Sequence, residues 1–96
     1  GEPFDNITAV KRLTEKVKDI YPEKNIWIWS GYTYEQLLLK EPAISILHDI
    51  DILVDGRFEE DKKDLTLPFR GSSNQRIIDV KKSLESNSVV LYEEVK

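Results

Sequence analysis

Polar residues able to do chemistry gather at the points where this chain passes from apolar to polar. Ser30-Gly31 follows Ile26-Trp27-Ile28-Trp29, and Asp55-Gly56-Arg57 follows Ile52-Leu53-Val54. Gly1-Glu2-Pro3 opens the chain ahead of a helical pattern. Glu2 and Asp55 can accept hydrogen bonds from an ammonium group. Arg57 or Arg70 can grip a carboxylate or phosphate with two parallel N–H donors. Ser30 can bond a ribose hydroxyl or a carboxylate, and glycines at 1, 31 and 56 let backbone approach a ligand closely. The stretch Arg70-Gly71-Ser72-Ser73-Asn74-Gln75 has no apolar member and carries a guanidinium, two hydroxyls and two amides. It suits a polar or anionic partner better than a core. As a set, these residues fit a zwitterionic or nucleotide-like ligand.

Each group also has a structural reading. Asp55-Gly56 is a common strand-end turn, and Ser30-Gly31 can simply stop a strand. Glu2 and Asp5 are favourable charges at a helix amino terminus. Arg57 and Arg70 can pair with the acidic residues of the run Glu59-Glu60-Asp61-Lys62-Lys63-Asp64. His48 beside Asp49 reads as a surface or helix-end histidine, and Trp27 and Trp29 read as core.

The elements that must position these groups follow from the apolar pattern. Asp5 or Asn6 can cap a helix over residues 6–20, where Ile7, Val10, Leu13, Val17 and Ile20 form one stripe and Pro22 ends it. The spacing then predicts a strand over 25–29, apolar at every position from Ile26 and so covered on both faces. Thr33-Tyr34-Glu35-Gln36 fits a capping box opening a helix over 34–40, and a short helix over 43–48 follows Pro42. Further strands are expected over 51–55, 76–80 and 88–92, with a polar, irregular segment from Arg57 to Pro68. Strands alternating with helices predict an α/β fold with a parallel sheet. Ligand sites in such folds lie at the carboxyl ends of the strands. Ser30, Asp55 and Glu2 then face one mouth.

Composition bounds the rest. The 96 residues make one domain, 1–96, with a formal charge of −4. That balance gives no general attraction to nucleic acid or to anionic membranes. With no cysteine and no methionine, the chain can form neither a disulfide nor a thiolate metal site. The apolar runs are too short to span a membrane, and a cytoplasmic protein is expected.

The chain resembles the carboxyl-terminal part of the activating proteins of anaerobic ribonucleoside-triphosphate reductases, a family of radical S-adenosylmethionine enzymes. Four motifs carry the resemblance, in order: Gly1-Glu2-Pro3, Asn25-Ile26-Trp27-Ile28-Trp29-Ser30-Gly31-Tyr32, Ile52-Leu53-Val54-Asp55-Gly56-Arg57-Phe58 and Arg70-Gly71-Ser72-Ser73-Asn74-Gln75. It implies a half barrel of parallel strands with outer helices, truncated from a (βα)6 partial barrel. It implies a 4Fe–4S cluster held by a C-x3-C-x2-C loop, and S-adenosylmethionine bound against it to generate a glycyl radical on the reductase, the partner. Gly1, Glu2 and Pro3 match the end of a Gly-Gly-Glu-Pro motif that receives the methionyl ammonium. Ser30, Gly31, Asp55 and Arg57 match strand ends that line the cofactor pocket, and the Arg70–Gln75 loop is a candidate pocket or partner loop.

The missing cysteines depart from that family pattern. The expectation is a piece of a longer enzyme, inactive alone, holding neither cluster nor cofactor and self-associating through an open sheet edge. The alternatives are a non-catalytic binding domain on the same half barrel, or an unrelated flavodoxin-like module.

Overall fold

The computed structural model of the chain describes residues 2–93. A 3-10 turn at Pro3–Asp5 leads into helix α1, Ile7–Ile20. Then come strand β1 (Trp27–Trp29), helices α2 (Tyr34–Leu38) and α3 (Glu41–Leu47), and strand β2 (Ile52–Asp55). A second 3-10 turn at Glu60–Lys62 precedes strand β3 (Arg76–Asp79) and helix α4 (Val80–Ser86). The result is a mixed α/β unit.

The sheet order is β1-β2-β3. β1 and β2 run parallel, with Ile28 opposite Leu53; β3 runs antiparallel to β2, with Ile78 opposite Leu53. Side chains alternate across a strand, so Ile28, Leu53 and Ile78 form one row facing the helices. There they join Phe4, Leu37, Ile46 and Leu47 in the core. Each fully buried aliphatic side chain contributes roughly 1.5–3 kcal/mol. The other face carries Trp27, whose ring lies 4.9 Å from Phe69 and 5.4 Å from Tyr92.

Local chemistry sets the helix limits. Thr33 and Gln36 form the expected capping box of α2. That helix stops at Leu38, and Leu39 stands 89% exposed. α1 has its apolar stripe, but neither Asp5 nor Asn6 supplies a side-chain cap. A lysine anchors it instead: Lys11 Nζ reaches Asp49 Oδ2 at 2.6 Å and the Ser45 carbonyl at 3.0 Å.

Two expectations are corrected. The sheet is not all parallel. Segment 56–75 holds only a 3-10 turn and an ordered loop, with no crossover helix to carry the chain back over the sheet, so β3 returns antiparallel. The strand expected over 88–92 shrinks to a single bridge between Leu91 and Ile78. Residues Val80–Ser86 form α4, because Asp79 accepts from the Lys82 amide as an N-cap and Asn87, at φ 54°, closes the helix in the left-handed region. Among the described residues, no helix is long and apolar enough to cross a membrane.

Candidate functional site

Parallel pairing brings the carboxyl ends of β1 and β2 side by side. The Ser30 amide donates to the Val54 carbonyl at 2.9 Å, and the Gly56 amide to the Tyr32 carbonyl at 3.1 Å. Glu2 reaches this floor from the 3-10 turn. Its Oε2 accepts from the Ser30 hydroxyl and the Phe4 amide, both at 2.9 Å, and its Oε1 accepts from the Gly31 amide at 2.6 Å. A carboxylate takes about four donors, so one acceptor position on Glu2 stays open. Ser30 is 5% exposed, and its oxygen also accepts from the Tyr32 amide at 3.0 Å. It orients Glu2 more than it offers itself to a ligand.

Two clefts meet at Glu2 and Gly31. One, about 310 Å³, is walled by Trp29 and Phe58 with Pro3, Gly56 and Gln75. Trp29 and Phe58 are each nearly half exposed; the Trp29 ring stacks on Trp27 at 5.9 Å. The other, about 530 Å³, is polar and lined by Asp5, Tyr32, Thr33, Gln36 and Arg57. Asp5 accepts from the Tyr32 hydroxyl at 2.6 Å. The Gln36 carbonyl oxygen is taken by the Thr33 amide. Arg57 is exposed and forms no ion pair among the described residues.

Asp55 sits beneath this floor and not in it. It is 1% exposed. Its Oδ1 accepts from Arg76 Nε at 3.0 Å, and its Oδ2 from Arg76 Nη2 at 2.5 Å and the Tyr34 amide at 2.7 Å. Arg76 also holds Glu35 through both terminal nitrogens. Hydrogen bonds to Asp55 and then to Glu35 raise the Arg76 pKa above its usual value. The hydrogen bond from Arg76 holds the Glu35 carboxyl below its usual range. Burial raises the Tyr34 phenol, with the Glu35 charge adding to it. Asp55 thus ties the end of β2 to the first turn of α2 and the start of β3.

The Arg70–Gln75 loop turns most of its polar groups onto backbone. Ser72 is fully buried and accepts from the Glu59 amide at 3.2 Å. Arg70 donates to the Gln75 carbonyl at 3.0 Å. Asn74 and Gln75 reach the strand-end turn at Gly56-Arg57, and Gln75 also lines the aromatic cleft. Gly71 and Ser73 are exposed. Gly1 lies outside the described residues.

Sequence reasoning missed Arg76, Trp29 and Phe58 as site residues. Arg76 had a usable signal: a buried aspartate at a strand end needs a cation, and an arginine opening the next apolar strand is in reach. Nothing in the pattern showed that the Trp29 ring faces outward.

The residues present do not fit an iron–sulfur cluster. The sequence has no cysteine, and the described residues contain no group of three or more histidine, cysteine or acidic side chains able to hold a metal. His48 has no such neighbours.

This mixed α/β unit thus gathers a carboxylate, a glycine amide and a two-part cleft at the ends of its parallel strand pair. Residues 1–78 match the family described as a 4Fe-4S single cluster domain, and the chain belongs to that family. It is 40% identical over 79 residues to the anaerobic ribonucleoside-triphosphate reductase-activating protein of Pasteurella multocida, covering 80% of this chain and 50% of that protein. The proteins of the same name from Vibrio cholerae and phage T4 are 43% and 34% identical over 79 residues, each over 80% of this chain and over 50% and 47% of their own lengths. The chain spans about half the length of the curated relatives it matches. No solved structure matches it.

Proposed function

We propose that this chain forms one wall of an S-adenosylmethionine site in an activating enzyme for anaerobic ribonucleoside-triphosphate reductase. The observation that carries this reading is Glu2, whose carboxylate lies between a polar and an aromatic cleft. A ligand with a zwitterionic end and a nucleoside end needs both. Arg57 would take the carboxylate, and Asp5 with the open position on Glu2 would take the ammonium. Trp29 and Phe58 would cover the faces of the base. Asp55, Ser30 and Arg76 would hold the floor rigid.

The resemblance implies that S-adenosylmethionine, held beside a 4Fe–4S cluster, would supply radical chemistry toward the reductase. The cluster ligands are not among this chain's residues, so the chain alone is proposed to be inactive. The parallel β1–β2 pair, with β1 at the sheet edge, is compatible with a larger half barrel. A second reading is a domain that binds through the same clefts without chemistry.

Nitrogen-15 NMR titration tests the site. S-adenosylmethionine should shift the Gly31 and Arg57 amides and the Trp29 indole together. Methionine alone should shift the first two, and adenosine alone the indole. Unmoved signals at millimolar ligand, or shifts elsewhere, overturn the reading. Reductive cleavage of bound S-adenosylmethionine after the chain is joined to a cluster-bearing half of a relative would separate the enzyme from the binding domain.

A further inference from the structure

We propose that Asn74 and Gln75 are positioning residues, clamping the strand-end turn so that Arg57 and Phe58 enter two different clefts. Gly56 ends β2 at φ 97°, in the left-handed region that favours glycine. The next two side chains diverge, Arg57 to the polar cleft and Phe58 to the aromatic one. Left alone, an exposed turn after a glycine is free to rotate. Here consecutive carbonyls are held by consecutive amide side chains. Gln75 Nε2 donates to the Gly56 carbonyl at 2.9 Å, and Asn74 Nδ2 to the Arg57 carbonyl at 2.8 Å.

The clamp is itself fixed. Gln75 Oε1 accepts from the Gly71 amide at 2.9 Å and the Ser72 amide at 3.2 Å, so the side-chain amide has one orientation: oxygen to the loop, nitrogen to the strand end. The loop is anchored in turn by the Ser73 amide on the Lys62 carbonyl at 2.9 Å and by the Lys63–Ser72 bridge. Gly71 completes the fit. A Cβ there would lie 3.0 Å from Phe58 Cδ1, so the bare backbone lets the Phe58 ring lie against the loop. This assigns the polar motif Arg70–Gln75 a use that ligand contact does not explain.

The bond pattern supplies a selective variant. Gln75→Glu keeps both acceptor bonds to Gly71 and Ser72 but loses the donor to Gly56 and sets a carboxylate oxygen against a carbonyl. Asn74→Asp does the same to the Arg57 carbonyl. In the ligand-free chain, each variant should shift the Arg57 and Phe58 amides while the Lys62 and Lys63 amides, which donate to the Glu59 and Glu60 carbonyls, stay in place. That readout does not depend on any cofactor. The affinity arm rests on the S-adenosylmethionine reading: both variants should weaken binding about tenfold, the scale of one lost hydrogen bond with its unpaired partner.

Unmoved Arg57 and Phe58 signals overturn the clamp. So does simultaneous movement of every loop signal, which would mean a general role in loop folding. Loss of signal for the whole domain in Gln75→Glu passes the question to Asn74→Asp, which leaves the Gln75 side-chain bonds intact. If the wild-type chain shows no response to S-adenosylmethionine, the site reading fails, and the ligand-free shifts still decide the clamp.

Discussion

Glu2 Oε1 accepts the Gly31 amide at 2.6 Å, while Oε2 of the same carboxylate accepts the Ser30 hydroxyl at 2.9 Å. Residues far apart in sequence are thereby locked at the shared edge of two clefts. Glu2→Gln should be worse than the loss of a charge implies, because an NH₂ must then face amide or hydroxyl donors. The expected cost is about 1–3 kcal/mol, the penalty for buried donors left without an acceptor. For a domain of this size each kcal/mol lowers the melting temperature by roughly 4–8 °C. Thermal denaturation followed by circular dichroism checks it; a melting curve unchanged by Glu2→Gln would show that this lock adds nothing.

Arg76 neutralises a buried carboxylate, so its removal should cost more than its own contacts. Arg76→Ala leaves Asp55, 1% exposed, without its cation, at about 3–5 kcal/mol. Arg76→Lys keeps the charge but loses the two-pronged geometry on Asp55 and should fall between. The double variant Arg76→Ala with Asp55→Asn should recover part of the loss, since no bare charge remains. Urea denaturation midpoints of the three proteins test the order. Equal midpoints for the single and double alanine variants would remove the charge argument.

Glu35 carries a pH prediction. The Arg76 hydrogen bond holds its folded pKa below the ordinary 4.5. The carboxylate form is therefore favoured by folding. This contribution is fully present above the unfolded value and is lost as pH falls through the lowered folded value. Glu35→Gln should lie below wild type at neutral pH and converge with it as the pH falls through the lowered folded value. Asp64, held low by hydrogen bonds from the Thr66 hydroxyl and then its amide, is untouched by the substitution and keeps some acid slope in both proteins. Urea unfolding repeated across that range reads the convergence; parallel curves at all pH values would contradict it.

These sites show what was legible in the sequence. α1, the capping box and both parallel strands were readable because each is a local pattern: a helical stripe, a Thr-x-x-Gln signal, an apolar run. Ser30 and Gly31 lie beside the end of β2 because strand direction puts them there, and Glu2 reaches them from the 3-10 turn that opens at Pro3. The direction of β3 was decided by something non-local, the lack of a crossover helix between Gly56 and Gln75. The polar, irregular composition of Arg57–Pro68 carried that signal. α4 was hidden because Val89-Val90-Leu91 reads as a strand and Val80–Ser86 is a single short helix whose cap, Asp79, is also the last residue of β3. Asp55 was found as a strand-end acid but placed in the pocket. Its partner, Arg76, lies across an antiparallel pair whose register was not predictable, with Asp55 opposite Arg76. The loop at Arg70–Gln75 was visible as a polar cluster, but only three-dimensional structure tells inward amides from outward ones.

The edge of the sheet gives the final prediction. β1 pairs only with β2 among the described residues, and an apolar groove of about 410 Å³ lies beside it, between Val10, Leu13 and Val17 of α1 and Trp27 and Trp29 of β1. Leu13 is 61% exposed and Trp29 48%. An open strand edge flanked by apolar surface recruits another chain, so the isolated 96-residue polypeptide should self-associate as its concentration rises. Leu13→Lys sets a charge in that groove at a position already facing water. It should therefore leave the melting temperature nearly unchanged while shifting the protein toward monomer. Sedimentation equilibrium of the two proteins measures this directly. A wild-type chain that stays monomeric at high concentration, or a Leu13→Lys chain that associates equally well, would mean that the α1–β1 face does not drive assembly.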